Sequence, residues 1–191
     1  MNLRHPFIFV VLICMLLMAC TKARKYTYEI IGATYSNADK SGVPPVSLTS
    51  DSVRSLSYAI KCTCSALLTG HDDGFDDVYE DVFSTQSRIE AMNIYSLTDF
   101  DSTHPAYSSL NDRFNVLFTS PEYKVYPLSG NNFIWPDFNF HQKRNDADSF
   151  KETRYFTLLY QPELLGSRTF IIELTKTDST KYIDTLNIKL Y

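Results

Sequence analysis

Leu56-Ser57-Tyr58-Ala59-Ile60-Lys61-Cys62-Thr63-Cys64-Ser65-Ala66 is the stretch that decides the fold. Leu56, Tyr58, Ile60, Cys62, Cys64 and Ala66 fall on one side of an extended chain. Ser57, Lys61, Thr63 and Ser65 fall on the other, with Ala59 among them. Successive side chains of a strand point to opposite faces, so this period of two predicts a half-buried strand packed on a core. The same period recurs along the chain. Tyr26-Thr27-Tyr28-Glu29-Ile30 opens a strand running toward Tyr35, and further strands are expected over Ser87 to Leu97 and Tyr155 to Tyr160. Phe170, Ile172 and Leu174 alternate with Ile171, Glu173 and Thr175 ahead of a turn at Thr177-Asp178-Ser179-Thr180. Tyr182 to Tyr191 then returns with Leu186, Ile188 and Leu190 on one face, which predicts a hairpin.

Helical periodicity is missing. No stretch keeps a 3.6-residue apolar stripe for three turns, and Pro105, Pro121, Pro127 and Pro136 interrupt the region between Phe100 and Phe150, where Ser109 to Phe114 reads as a short helical turn. Short strands joined by turn signals, without intervening helices, predict an all-β fold of immunoglobulin-like β-sandwich type. Its expected extent is 26–191, as one domain with no tail after the last strand. The 13 Tyr and 13 Phe agree, since aromatic residues favour half-buried strands. The formal net charge is −4 and no basic patch stands out, which argues against a nucleic-acid partner.

The start of the chain has a different grammar. Arg4 precedes an uncharged apolar run from Pro6 to Ala19, and no acidic residue occurs before Glu29. A membrane-spanning helix needs about 20 apolar residues, so this run is too short and reads as a secretory leader. Leu17-Met18-Ala19-Cys20 resembles the lipobox of bacterial lipoproteins, in which a peptidase cuts before the cysteine and the thiol receives a diacylglyceryl group. That resemblance implies a leader over 1–19, lipidation at Cys20 and a short tether over 20–25. The alternative is an ordinary secretory signal that happens to contain Cys. One acyl chain binds a membrane only marginally whereas two or more hold firmly, so a lipidated amino terminus makes a membrane anchor. Thr21 rather than Asp after the cysteine permits passage to the outer membrane under the best-known sorting rule. The basic tether lacks the acidic cluster of many Bacteroidetes surface lipoproteins, which argues for an inward, periplasmic face.

Several constellations have to be weighed as sites. Cys62 and Cys64 sit two apart on one strand, and their Cα atoms are expected roughly 6.5 to 7 Å apart, at the limit of a disulfide. Core packing as thiols is the expectation, with a strained disulfide, or a metal site completed by His71 from a loop, as the alternatives. Gly70 to Asp81 concentrates carboxylates; Asp72, Asp73, Asp76 and Asp77 are calcium candidates, but Gly74 stands where an EF-hand needs an oxygen ligand, so a solvated acidic loop is expected. Trp135 and Phe138, within Phe133 to Phe140, form either a ligand platform or part of the core. Beyond the leader the histidines are His71, His104 and His141, in separate segments. No G-x-S-x-G, S-x-x-K or H-E-x-x-H motif occurs, so no catalytic residue, resident metal or cofactor is assigned.

With the lipobox, the terminal hairpin and the stretch from Ser96 to Phe114 in view, the chain resembles the small Bacteroidetes lipoproteins that carry a domain of unknown function. The resemblance implies an envelope location and β architecture, and transfers no binding residue. Asp51-Ser52-Val53, Asp101-Ser102-Thr103, Asp178-Ser179-Thr180 and Asp184-Thr185-Leu186 resemble the O-glycosylation motif of exported Bacteroidetes proteins, with Ser102 and Ser179 the more accessible acceptors. The functional expectation is a non-catalytic, lipid-anchored envelope protein that binds another envelope protein or assists assembly. A glycan-binding accessory lipoprotein is the alternative, and a hydrolase the remote one.

Overall fold

The computed structural model describes residues 25–72, 82–118, 124–128 and 149–191, and over these the protein is all-β. Its strands are β1 (Lys25–Asp39), β2 (Val46–Ser47), β3 (Ser52–Val53), β4 (Tyr58–Asp72), β5 (Val82–Thr85), β6 (Ile89–Ser96), β7 (Phe114–Phe118), β8 (Lys124–Pro127), β9 (Ser149–Leu158), β10 (Gly166–Lys176) and β11 (Lys181–Leu190). Among the described residues the helical elements are two 3-10 turns, Ser55–Ser57 and Asn111–Arg113, and no helix is long and apolar enough to cross a membrane.

The strands form two sheets. The first runs β2-β1-β4-β9-β7-β8, with β5 added in parallel on β1; the second runs β3-β11-β10-β6, with β3 parallel to β11. β1 and β4 pair antiparallel over their full lengths, from Lys25 opposite Asp72 to Asp39 opposite Tyr58. Their inward faces and those of β9, β7, β6, β10 and β11 contribute to one core. Ile60, Phe114, Phe156, Phe170 and Ile172 are fully enclosed there. Phe170 stacks on Tyr58 with centroids 5.4 Å apart and meets Phe114 edge-on at 6.0 Å, so these three rings join the two sheets.

The alternation read in β4 holds from Tyr58 to Ala66, whose inward members are all buried. Leu56 departs from it. The 3-10 turn at Ser55–Ser57 precedes the strand, and Leu56 is exposed. β1 runs on past Tyr35 to Asp39, and β9 begins earlier than expected, at Ser149, and ends at Leu158. The hairpin β10–β11 follows the expected pattern, with Phe170, Ile172, Leu174, Ile188 and Leu190 all buried.

β1 changes parity on the way. The register slips between Ile30 and Gly32, so Ile31 has no partner on β4 and turns out to solvent. The Ile30 carbonyl at this bulge accepts hydrogen bonds from Tyr182 Oη at 2.9 Å and Lys176 Nζ at 3.3 Å, both from the second sheet. Lys176 is itself buried and also meets Asp178 at 3.1 Å and Glu29 at 3.7 Å.

Two substitutions separate the core from the seam. Phe170→Ala should cost about 3–5 kcal/mol by emptying the ring cluster. Tyr182→Phe should cost about 1 kcal/mol by removing one hydrogen bond. Urea unfolding midpoints at unchanged slope would check both, and a Phe170→Ala loss no larger than that of Tyr182→Phe would contradict this picture of the core.

Candidate functional site

The strand registers give the fold two distinct ends. Lys25, Asp72, Ser149, Ile89 and the β10–β11 turn lie at one end, where β1 begins. Asp39, Ser96, Leu158 and Gly166 lie at the other, which carries the connections 97–113 and 159–165.

The connection 97–113 is irregular in path yet tightly held. Phe100 and Leu110 are buried as its apolar anchors. Asn111 completes the open edge of β6 with its side chain: Nδ2 donates to the Met92 carbonyl at 2.8 Å, and Oδ1 accepts from the Ile94 amide at 3.1 Å. The Tyr107 amide donates to Ser96 at 2.8 Å and the Leu110 amide to Ile94 at 2.7 Å. Arg168, buried on β10, donates to Thr98 Oγ1 at 2.7 Å, to the Asp99 carbonyl at 2.6 Å and to the Leu164 carbonyl, binding this connection to 159–165. The Glu163 amide adds a bond to Phe100 O at 3.1 Å.

At the centre lies a charged knot. His104 Nδ1 is 2.7 Å from Asp101 and Nε2 is 3.0 Å from Asp112, so both ring nitrogens face carboxylates. Arg113 Nη2 meets Asp101 at 3.1 Å, and its guanidinium carbon lies 5.2 Å from the centre of the Tyr160 ring. Burial on its own would raise the Asp101 carboxyl. The hydrogen bonds from Thr103 and His104 outweigh it and hold that carboxyl well below the usual range. With both nitrogens engaged by carboxylates, His104 is built as a bridge within the loop.

Tyr107 is the outlier of this region. Its φ is 62° and its side chain is 66% exposed. A bulky residue in the left-handed region costs about 1–3 kcal/mol and persists only where its surroundings over-determine it. The bonds to Ser96 and, through Ala106, to Asp99 supply that constraint.

A second polar group is enclosed between the sheets. Cys62 and Cys64 are free thiols, each 1% exposed, with sulfurs 3.8 Å apart on the inward face of β4. The hydrogen bond to Cys64 and burial push the Cys62 thiol up. Opposite them on β9, Arg154 Nε donates to Glu152 at 2.7 Å. Burial lowers the Arg154 guanidinium and raises the Glu152 carboxyl, and each partly restores the other. Tyr35, beside the thiols, is pushed up by burial first and by its thiol and Asp184 neighbours next. Thiols buried in this way are inert, so this group packs the core.

The other sequence candidates are scattered. Cys20, Trp135, Phe138, Asp73, Asp76 and Asp77 lie outside the described residues, as does His141. Asp72 ends β4 opposite Lys25, and His71 lies within that strand opposite Tyr26 rather than in a loop. Among the described residues no cluster of His, Cys, Asp and Glu could hold a metal ion. Ser102 and Ser179 are both exposed, Ser179 with φ 69° in the β10–β11 turn, whereas Thr185 lies in β11. Tyr107 and Arg168 escaped the sequence reading as site residues, and Tyr160 entered it only as the end of a strand that in fact stops at Leu158. The string of Asp, Ser, Thr and Asn around Tyr107 was their one available signal, since such side chains hold loops through local bonds.

The sequence matches no protein-family model and no curated protein.

Two measurements test these assignments. The Asp101 and Asp178 carboxyls are both depressed, Asp178 by its bonds from Ser87 and Thr180. Depressed carboxyls stabilise the fold fully above their unfolded values near about 4, and that contribution fades as pH falls through the folded values. Stability should therefore drop below about pH 4, and less steeply in Asp101→Asn. An Asp101→Asn acid profile superimposable on the parent's would refute the assignment. Cys62 and Cys64 should resist iodoacetamide in the native protein and label in denaturant; native labelling would mean that this part of the core opens.

Proposed function

We propose that the chain is a non-catalytic binding module of the cell envelope, held at the outer membrane by lipid on Cys20 and facing the periplasm, with an immunoglobulin-like sandwich as its domain. The observation that carries this reading is strand order. The run β1-β4-β9-β7 has the connectivity A-B-E-D, and β6-β10-β11 has the connectivity C-F-G, the two sheets of a constant-type immunoglobulin domain. The short β3, lying between β1 and β4 in sequence, crosses to pair with β11 and so joins the two sheets at their margin. Sandwiches of this kind present loops at the ends of a rigid double sheet, an arrangement suited to recognition. Binding as the role is drawn from that architecture, and the anchor from the lipobox resemblance.

The anchor has a direct test. Cys20→Ala, expressed as the full chain, should lose incorporation of labelled palmitate and move from the membrane to the soluble fraction. A mutant that keeps its label, or a parent protein that never takes one, would remove the anchor from this reading.

A further inference from the structure

We infer that the connections 97–113 and 159–165 form a protein-docking surface in which Tyr107 and Tyr160 are the contact residues, and that the partner presents apolar sockets flanked by basic side chains. This deepens the binding-module reading and rests on it.

The first argument is strain. Tyr107 holds φ 62° although glycine would adopt that conformation freely, and its ring is directed to solvent rather than used in packing. Strain maintained by a dense set of hydrogen bonds, for a side chain the fold does not bury, points to a use outside the fold. The second argument is preorganisation. Arg113 lies over the Tyr160 ring and is itself tied to Asp101, leaving Tyr160 56% exposed in a fixed setting. Leu164 and Leu165, 70% and 49% exposed, flank it on a connection that Arg168 fastens to Thr98 and Asp99. Rigid tyrosines surrounded by Ser and Thr are the composition of protein-binding loops, because a tyrosine ring offers large contact area at low entropic cost.

Charge and position define the occupant further. Within the two connections Asp99, Asp101, Asp112 and Glu163 stand against one arginine, Arg113, which Asp101 and Asp112 already engage, and the neighbouring Lys40 ammonium is taken up by the Leu158 carbonyl at 2.7 Å, so the acidic excess favours a basic counterpart. β1 starts at the opposite end, and its 15 residues place this surface roughly 45 Å along the strand direction from Lys25. A chain tethered through residues before Lys25 leaves the docking end free.

The test places a photoreactive benzophenone amino acid in the full-length protein, in intact cells of its source, at positions 107 and 160, and at Lys151 and Thr185 on the outer faces of the sheets. Protease-sensitive adducts from 107 and 160 are expected, weakened by raised salt and absent from 151 and 185. Tyr107→Gly is the second variant. Glycine relieves the strain, so the unfolding midpoint should stay close to the parent's while the adduct from position 160 falls about tenfold. An undiminished adduct in a folded Tyr107→Gly protein overturns the assignment of Tyr107. Protease-resistant, glycan-containing adducts overturn the protein partner. Adducts from 151 or 185 alone overturn this surface and leave the binding module standing. Failure of all four positions to give an adduct overturns both.

Discussion

The carbonyl of Ile30 is where the two sheets are tied together. It sits beside the bulge in the β1–β4 ladder, where the regular register breaks, and a buried carbonyl left without a donor costs free energy comparable to a lost hydrogen bond. The second sheet supplies donors to it from Tyr182 and Lys176. Lys176 in turn needs negative charge, which Asp178 and Glu29 provide, and Ser87 holds Asp178 in place at 2.7 Å. The bulge, the buried lysine and the β10–β11 turn are one arrangement, and each part would be unfavourable without the others.

The far end of the same margin uses another device. Asn37 donates to the Asn187 carbonyl at 2.8 Å and accepts from the buried Tyr58 hydroxyl at 2.9 Å. Burial pushes that hydroxyl well above its ordinary value, which keeps it a donor at any physiological pH. β1 and β11, which lie in different sheets, are thus bridged at two levels by side chains. The apolar core lies between these bridges, so the sheets are fixed in spacing by polar contacts and in energy by the aromatic cluster.

How much of this was readable in the sequence depended on which force held each segment. β4, β10 and β11 are held by burial of one face, and burial writes a period of two, so their faces could be named from the residues. β9 started unseen because Glu152 and Arg154 occupy inward positions opposite Cys64 and Cys62; an ion pair replaces the apolar residues the pattern needs. β1 kept a readable beginning and then lost phase at Ile31, where one extra residue moves later side chains to the other face. Leu56 misled for the opposite reason: its place in the alternation is coincidental, because the chain is still turning there. The connection 97–113 had no period to read, since its order comes from side-chain bonds such as those of Asn111 and His104. The left-handed conformation of Tyr107 had no signature in the tyrosine itself, since its neighbours impose it, and the polar residues around it were the one signal.

That contrast bears on what the molecule is for. Segments ordered by burial need only apolar residues in the right phase, and many sequences satisfy them. Holding 97–113 requires particular partners at particular places: a carboxylate for each nitrogen of His104, a buried arginine at 168, and an asparagine at 111 shaped to a strand edge. A loop needed only to join β6 to β7 could be short and simple, because connections of two to six residues are the common solution. Here a longer one is fixed in detail, and it keeps the Tyr107 ring in solvent, with Tyr160 of the neighbouring connection beneath its Arg113, where hydrophobic free energy would favour enclosing both. Specified geometry combined with exposed apolar area is what a preorganised binding surface requires, since rigidity lowers the entropic cost of association and the rings supply the contact.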